Sequence, residues 1–254
     1  MEVLVCIKRV AATGARIPLT DDGTAIDTRH LGFTMSPHDE CAVEEAVRIV
    51  AAHGGRATVL TLGPPEAVEQ VRAAISVGAD DGVLVETGAE EWDPQATATA
   101  ITAAVRTIEA DGRRFDLLLF GNESPDAGNY QVGIRVAHAL GLPIVSGVKG
   151  IDLADGRARL RREIPDGVEL YDVTLPAAVA VKEGLNLPRY PALKGRIRAK
   201  QADVRVVAPA AEPGGLERVR FRHPAQQVSE TVVLGGGAEG AVAVADLFEE
   251  LGLI

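Results

Sequence analysis

The sequence predicts an α/β protein built on a mostly parallel sheet with helices on both faces, an antiparallel hairpin addition and a C-terminal arm. Three observations predict it. Short, predominantly apolar runs at 3–7, 57–62, 82–85 and 115–120 have the character of strands buried on both faces. They alternate with stretches of helical periodicity, which makes neighbouring strands parallel and places the helices between them. After Leu142-Pro143-Ile144-Val145 the pattern changes, and Asp155-Gly156 and Asp166-Gly167 punctuate three strand-like segments as tight hairpin turns do.

Each element has its own warrant. Val3 to Ile7 is the first buried strand, and Lys8-Arg9-Val10 follows at its carboxyl end, where ligands collect in open α/β sheets. Asp21-Asp22-Gly23 predicts a turn between short strands near 16–19 and 25–27. Ser36-Pro37-His38-Asp39-Glu40 is a helix start: Ser36 suits the N-cap, Pro37 the first helical position, and two acids lie where the helix dipole favours them. That helix runs through Ile49 and stops near Gly54-Gly55. A strand at 57–62 ends at Gly63-Pro64-Pro65, and Val68, Val71, Ala74 and Ile75 form one face of a helix over 66–77. A strand at 82–85, an Ala-rich helix at 94–109, a strand at 115–120 and a helix at 131–140 continue the alternation. The three hairpin strands fall at 148–153, 157–164 and 168–173, and a buried strand at 175–181 closes the series. Residues 201–254, broken by Pro209, Pro213-Gly214-Gly215 and Pro224, have lower order, with a last helix at 241–251.

Composition bounds the function. The 254 residues suit one large domain, or one domain with an extension, and 46% hydrophobic against 24% charged residues allows a real core. A formal net charge of −10 argues against nucleic-acid binding, which needs broad positive surface. Cys6 and Cys41 make no disulfide framework and no metal motif, and read as small core residues. The first residues enter a strand without a leader pattern, and no apolar run approaches about 18 residues. The expectation is a cytoplasmic protein without membrane insertion.

Four stretches are candidate sites. His38, Asp39, Glu40 and Cys41 carry metal-ligand chemistry, but consecutive helical residues splay over about 300° and do not converge on one ion, so no metal is expected. Gly121-Asn122-Glu123-Ser124-Pro125-Asp126-Ala127-Gly128-Asn129-Tyr130-Gln131-Val132-Gly133 lies at the carboxyl end of a buried strand and enters a helix. Free N–H groups and the dipole make such a helix start a ready phosphate site, although a capped βα loop is also a common structural feature. It is not a Walker loop. Gly235 to Gly240 satisfies G-x-G-x-x-G, yet no strand or ribose-binding acid follows in the fourteen residues after it, so it reads as a loop before the last helix. The fourth stretch, 182–200, has six basic residues and one acid; Pro188 and Pro191 forbid a helix around them. Leu193, an apolar residue between the Arg189-Tyr190 pair and the basic run from Lys194 to Lys200, makes this a protruding basic loop with a greasy tip, or else a plain Pro-rich linker with a surface leucine.

Asn186-Leu187-Pro188-Arg189-Tyr190-Pro191-Ala192-Leu193-Lys194-Gly195 followed by a basic run resembles the signature of the electron transfer flavoprotein beta subunit family. Lys8-Arg9-Val10, Ala42-Val43-Glu44-Glu45-Ala46, Gly78-Ala79-Asp80, Arg162-Glu163-Ile164 and the tail extend the resemblance over nearly the whole chain. It implies a Rossmann-like, adenine-nucleotide-binding domain over 1–183, a recognition loop over 184–200 and an arm over 201–254 that wraps a partner subunit. It implies AMP held by Cys6, Ser36, Pro37, His38, Asp39, Leu62, Asp126, Ala127, Gly128, Asn129, Tyr130, Gln131, Val132 and Gly133. An alpha subunit would hold most of the redox FAD and meet Glu163, and acyl-CoA dehydrogenases and related flavin dehydrogenases would dock at Leu193, Arg189, Tyr190 and Lys194. The chain itself would be an electron-carrier subunit without bond chemistry.

Three departures qualify the resemblance. Ala12 and Thr13 replace an Asp and an aromatic that some members bring near the flavin, Ser36 replaces a frequent Asn, and Val132 replaces a Thr of AMP-binding members. A flavin-bifurcating subunit with a second FAD that oxidises NADH is therefore an alternative. A stand-alone nucleotide-binding protein sharing only the α/β core would leave 182–254 unexplained.

Overall fold

The computed structural model describes residues 1–12, 17–88, 90–210, 214–225 and 231–254. Two compact units result, Met1–Arg220 and Phe221–Ile254. In the first, β1 (Glu2–Ile7), β4 (Arg56–Gly63), β5 (Asp81–Glu86), β6 (Leu117–Gly121), β7 (Ile144–Ala154), β8 (Arg157–Ile164), β9 (Gly167–Thr174), β10 (Ala177–Val181) and β11 (Val204–Val207) form one nine-stranded sheet. Its order is β11-β5-β4-β1-β6-β10-β7-β8-β9, with parallel pairs from β11 to β7 and antiparallel pairs from β7 to β9. The sheet is mostly parallel and Rossmann-like, with an antiparallel hairpin addition, as the sequence predicts.

Side-chain alternation along β1 divides the core into two layers. Val3, Val5 and Ile7 pack with α1 (Pro37–His53) and α2 (Val68–Val77), while Leu4 and Cys6 pack with α3 (Pro94–Ala110) and α4 (Val132–Leu140). This is the two-sided burial that predominantly apolar strands require. A single 3-10 turn at Pro65–Ala67 precedes α2. Asp155 and Gly156 both take positive φ, 50° and 70°, as a two-residue hairpin between twisted strands demands.

Four details differ from the sequence expectation. The strands expected near 16–19 and 25–27 reduce to one antiparallel bridge, Leu19 to Ile26, with Arg16 outside the described residues; Thr20 and Asp22 hold the turn by side-chain bonds instead. A small antiparallel pair, β2 (Val10–Ala11) with β3 (Phe33–Thr34), joins the loop ends. Val204–Val207, within the stretch read as of lower order, is the edge strand β11 beside β5. Leu193–Gln201, expected as loop, is helix α5. Its residues are good helix formers apart from Gly195, but nine of them are too few to hold a helix alone, and packing secures it: Arg198 donates to the carbonyls of Ile75 and Ala79 at the end of α2, and Ala199 is buried. Among the described residues no helix is long and apolar enough to cross a membrane.

In the second unit, α6 (Gly237–Glu250) begins inside the glycine run and leaves Val242, Val244, Phe248 and Leu251 exposed. Thr13 and Pro213 lie outside the described residues.

Candidate functional site

The chain leaves β1 toward β4 and β5 on one side, then returns to β6 and β10 on the other. The switch point therefore lies between β1 and β6, and the crevice outside their carboxyl ends is where an open sheet of this kind binds ligands. The N-terminus of α1 fills its base. Ser36 Oγ accepts the Asp39 N–H at 3.0 Å, the N-cap the sequence predicts. Asp39 then spans the two strands: Oδ2 accepts the Lys8 N–H at 3.0 Å and Oδ1 the Gly121 N–H at 3.2 Å. Gly121 is required there, because a Cβ would stand 2.2 Å from Asp39 Oδ1.

Burial dominates the Asp39 carboxyl and pushes its pKa up to about 6, against the hydrogen bonds from Lys8, Ser36 and Gly121. The sign follows. A folded value above the ordinary one means that folding favours the protonated form, so this group's contribution is greatest below about pH 4 and is lost as pH rises through 6. Two units of difference correspond to roughly 3 kcal/mol. The expected result is that the stability gap between wild type and Asp39→Asn, from denaturant midpoints, moves in favour of wild type between pH 7.5 and pH 4.5. A gap that stays flat across that range would show that Asp39 titrates normally.

Above Asp39, Lys8 Nζ lies 2.7 Å from both Glu91 Oε1 and Asp126 Oδ2. Arg218 reaches Glu91 Oε2 at 2.7 Å, and Asp93, the N-cap of α3, also accepts the Gly214 N–H. Burial pushes the Asp126 and Glu91 carboxyls up, but Lys8 together with Ser124 and the Ala127 N–H at Asp126, and with Arg218 at Glu91, outweighs it, and both sit below the usual carboxylate range. Burial, with a smaller push from Asp39, drives the Cys6 thiol far up, so Cys6 is a packed thiol opposite Phe120 and no nucleophile.

The loop from Asn122 to Gln131 rims the crevice. Asn122 Oδ1 accepts the Gly147 N–H at 2.8 Å and fixes the rim to β7. Gly128 and Tyr130 have positive φ, 55° and 57°, and Gln131 follows in the right-handed region. Gly133 sets the first turn of α4 on the Phe120 ring; a Cβ there would come within 2.9 Å of it. The first helical N–H to find a carbonyl is that of Arg135, on Gln131, so those of Val132, Gly133 and Ile134 lack an intrahelical acceptor.

The sequence-predicted residues thus fall into two groups. Cys6, Ser36, Pro37, His38, Asp39, Leu62 and 126–133 all belong to the carboxyl ends of β1, β4 and β6 or the helix starts above them. Lys8 and Glu123, which lie in stretches the sequence singles out, complete this rim with Glu91 and Arg218, which it does not; the acidic pair Glu90-Glu91 soon after β5 is the one signal in the sequence that points to these. Glu163 lies apart on the exposed face of β8, paired with Lys149 Nζ at 2.7 Å.

The 184–192 segment is clasped to α1. Asn186 Nδ2 donates to the Cys41 carbonyl and to Glu45 Oε2, at 3.0 and 2.9 Å. Glu44 is buried and takes the Arg189 guanidinium in a bidentate pair at 2.7 and 2.9 Å, with Arg48 at 2.6 Å. Burial pushes the Glu44 carboxyl up, yet the bonds from Arg189 and Arg48 prevail and hold it below the usual range. Arg189 is thus tied to Glu44 while its side chain stays exposed, as are Leu187, Tyr190 and Leu193, the last two 94% and 73% accessible, beside Lys194.

A family described as "Electron transfer flavoprotein domain" matches residues 24–212. The chain is similar to proteins named electron transfer flavoprotein subunit beta from Syntrophomonas wolfei, at 34% identity over 88% of this chain and 86% of that one. It is similarly related to those of Mycobacterium tuberculosis H37Rv, at 36% over 81% and 78%, and Bacillus subtilis, at 32% over 79% and 76%. With a domain match over most of its length and beta-subunit relatives above 30% identity across most of both chains, this chain belongs to the electron transfer flavoprotein beta subunit family.

Proposed function

We propose that this chain is the beta subunit of a heterodimeric electron transfer flavoprotein, a carrier that accepts electrons from acyl-CoA-type dehydrogenases and passes them toward the respiratory chain. FAD, held mainly by the alpha subunit, supplies the redox chemistry when bound. The residues of this chain bind, orient and dock.

The observation that carries the reading is the crevice at the switch point, where α1, Lys8 and the 121–133 loop converge. An AMP phosphate fits its donor set. The three free N–H groups at the start of α4 and the change of backbone hand from Tyr130 to Gln131 make the concavity that anions occupy. Lys8 is already held between Glu91 and Asp126, so backbone groups would be the phosphate donors. Leu193 and Tyr190, exposed on a segment whose base is pinned to α1, form the docking tip, with Lys194 as a basic rim. Glu163 faces the alpha subunit.

A second reading, a bifurcating subunit with its own FAD, is favoured by one residue: Val132 brings no hydroxyl to the first turn of α4. The deciding experiment is to purify the heterodimer, denature it and quantify nucleotides. One FAD and one AMP support the carrier, whereas two FAD and no AMP support bifurcation. For docking, Leu193→Ala should slow electron acceptance from a partner dehydrogenase roughly thirtyfold, about 2 kcal/mol of lost contact, with nucleotide content unchanged. Unaltered transfer kinetics would remove the docking role.

A further inference from the structure

Two loops that the sequence treats separately meet at one imidazole of α1. His38 lies in the first turn of α1, half-buried, between the β6–α4 loop and the chain leaving β10. Its Nδ1 accepts the Glu183 N–H at 2.9 Å. Its Nε2 lies 3.5 Å from Glu123 Oε1. Glu123 in turn accepts from the Tyr130 hydroxyl, which holds the Tyr130 proton more tightly than usual. Because Nδ1 is the acceptor, the ring's proton sits on Nε2 and faces the Glu123 carboxylate. One ring therefore accepts a hydrogen bond from one loop and faces the carboxylate of another, two loops that the readings above assign different tasks.

The two loops also meet directly, the Asn122 N–H donating to the Val181 carbonyl at 2.9 Å, and the imidazole adds a second link at Glu123 and Glu183. Glu123 and Tyr130 belong to the rim around the helix start, and Glu183 opens the segment that Asn186 and Arg189 then fasten to α1. Gly184, with a φ of 89°, follows at once, so the direction of the chain toward Leu187 is set just after the Glu183 bond. A shift of Glu123 reaches Glu183 through a rigid ring anchored by its own backbone in α1.

We infer that His38 is a positioning residue that couples the β6–α4 loop to the docking segment, so that the state of the nucleotide rim is transmitted to residues 183–187. The inference rests on the proposed assignment of those two loops, but the mechanical coupling is testable without it. Asn at position 38 places an acceptor where Nδ1 stands and keeps the Glu183 bond while losing Glu123; Gln reaches toward Glu123 and loses Glu183.

The experiment is amide hydrogen exchange on the intact heterodimer for wild type, Glu123→Gln, His38→Asn, His38→Gln and the double variant Glu123→Gln with His38→Asn. It is run with and without AMP, and AMP affinity is measured by calorimetry in parallel. Glu123→Gln, although it alters only the rim, should speed exchange at 183–185 about fivefold, the lower end of ordinary coupling. In the His38→Asn background exchange at 183–185 should start near the wild-type rate, and adding Glu123→Gln should change nothing. His38→Gln should exchange fast with or without AMP, whereas AMP should slow wild type. The inference is overturned if Glu123→Gln leaves 183–185 unchanged, or if its effect is the same in both backgrounds, since His38 is then only a local prop for each loop. Absence of AMP binding to wild type would sink the cofactor reading, while the Glu123 comparison would still decide the coupling.

Discussion

Gly121→Ala should cost about 3–5 kcal/mol and abolish nucleotide binding. The added methyl would meet Asp39 at three points, 2.2 Å from Oδ1 and 3.1 Å from both Cγ and the backbone N. Nothing there can yield cheaply. Asp39 is buried, its backbone is in the first turn of α1, and its carboxylate already holds the Lys8 and Gly121 N–H groups. Relief requires α1 to lift from β6, which adds the penalty of leaving a buried carboxylate and a backbone N–H short of partners to the 1–3 kcal/mol typical of overpacking. Chemical denaturation gives the stability and calorimetry the affinity. The control is Gly128→Ala: its φ of 55° imposes strain, about 1–2 kcal/mol, but a Cβ there meets nothing within 4 Å. A Gly121→Ala protein within 1 kcal/mol of wild type would mean that the helix start is not seated on β6 in solution.

This glycine shows where sequence reading stops. The fold was legible because its signals are local: predominantly apolar strands, helical periodicity, and the Ser36-Pro37 start that the structure reproduces with Ser36 capping Asp39. The hairpin was legible because Asp155-Gly156 demands positive φ. What local signals could not give is which loops meet. Asp39 looked like an ordinary acid in a first helical turn, yet it ties together strands whose residues are 31 and 82 positions away. Nothing local to Glu44 marks it for burial, yet it is buried with Arg48 and with Arg189, 145 residues later, as its partners. The same pairing fastens Arg189 beside the exposed Tyr190, a partnership that no local signal names. Helix α5 was hidden for a related reason. Its residues favour solvent, and only the end of α2 gives them something to hold.

Gly195→Ala should impair docking as severely as Leu193→Ala while leaving every exposed side chain in place. A Cβ at 195 would stand 2.1 Å from the Ser76 carbonyl oxygen and 3.1 Å from its carbon, both backbone atoms of α2. The two helices cannot keep their present approach. The bonds from Arg198 to Ile75 and Ala79 stretch or break, and α5 moves away from α2. The stability cost should be about 2–3 kcal/mol, that of overpacking at a helix contact. The functional cost follows from position, because Leu193 is the first residue of α5 and moves with it. Leu193→Ala removes the anchor from a sound platform, so the denaturation midpoint should stay near wild type while transfer slows. Gly195→Ala keeps the anchor on a displaced platform, so both should fall, with transfer again roughly thirtyfold slower. The two variants together separate contact from presentation. If Gly195→Ala lowers stability but transfers electrons at the wild-type rate, the leucine engages its partner through a mobile tip and the α2–α5 contact has no part in docking. If both slow transfer and only one loses stability, the rigid seat beneath Leu193 is itself part of the recognition surface, as expected where a few buried side chains carry most of the binding energy and pre-organisation limits the cost of ordering them.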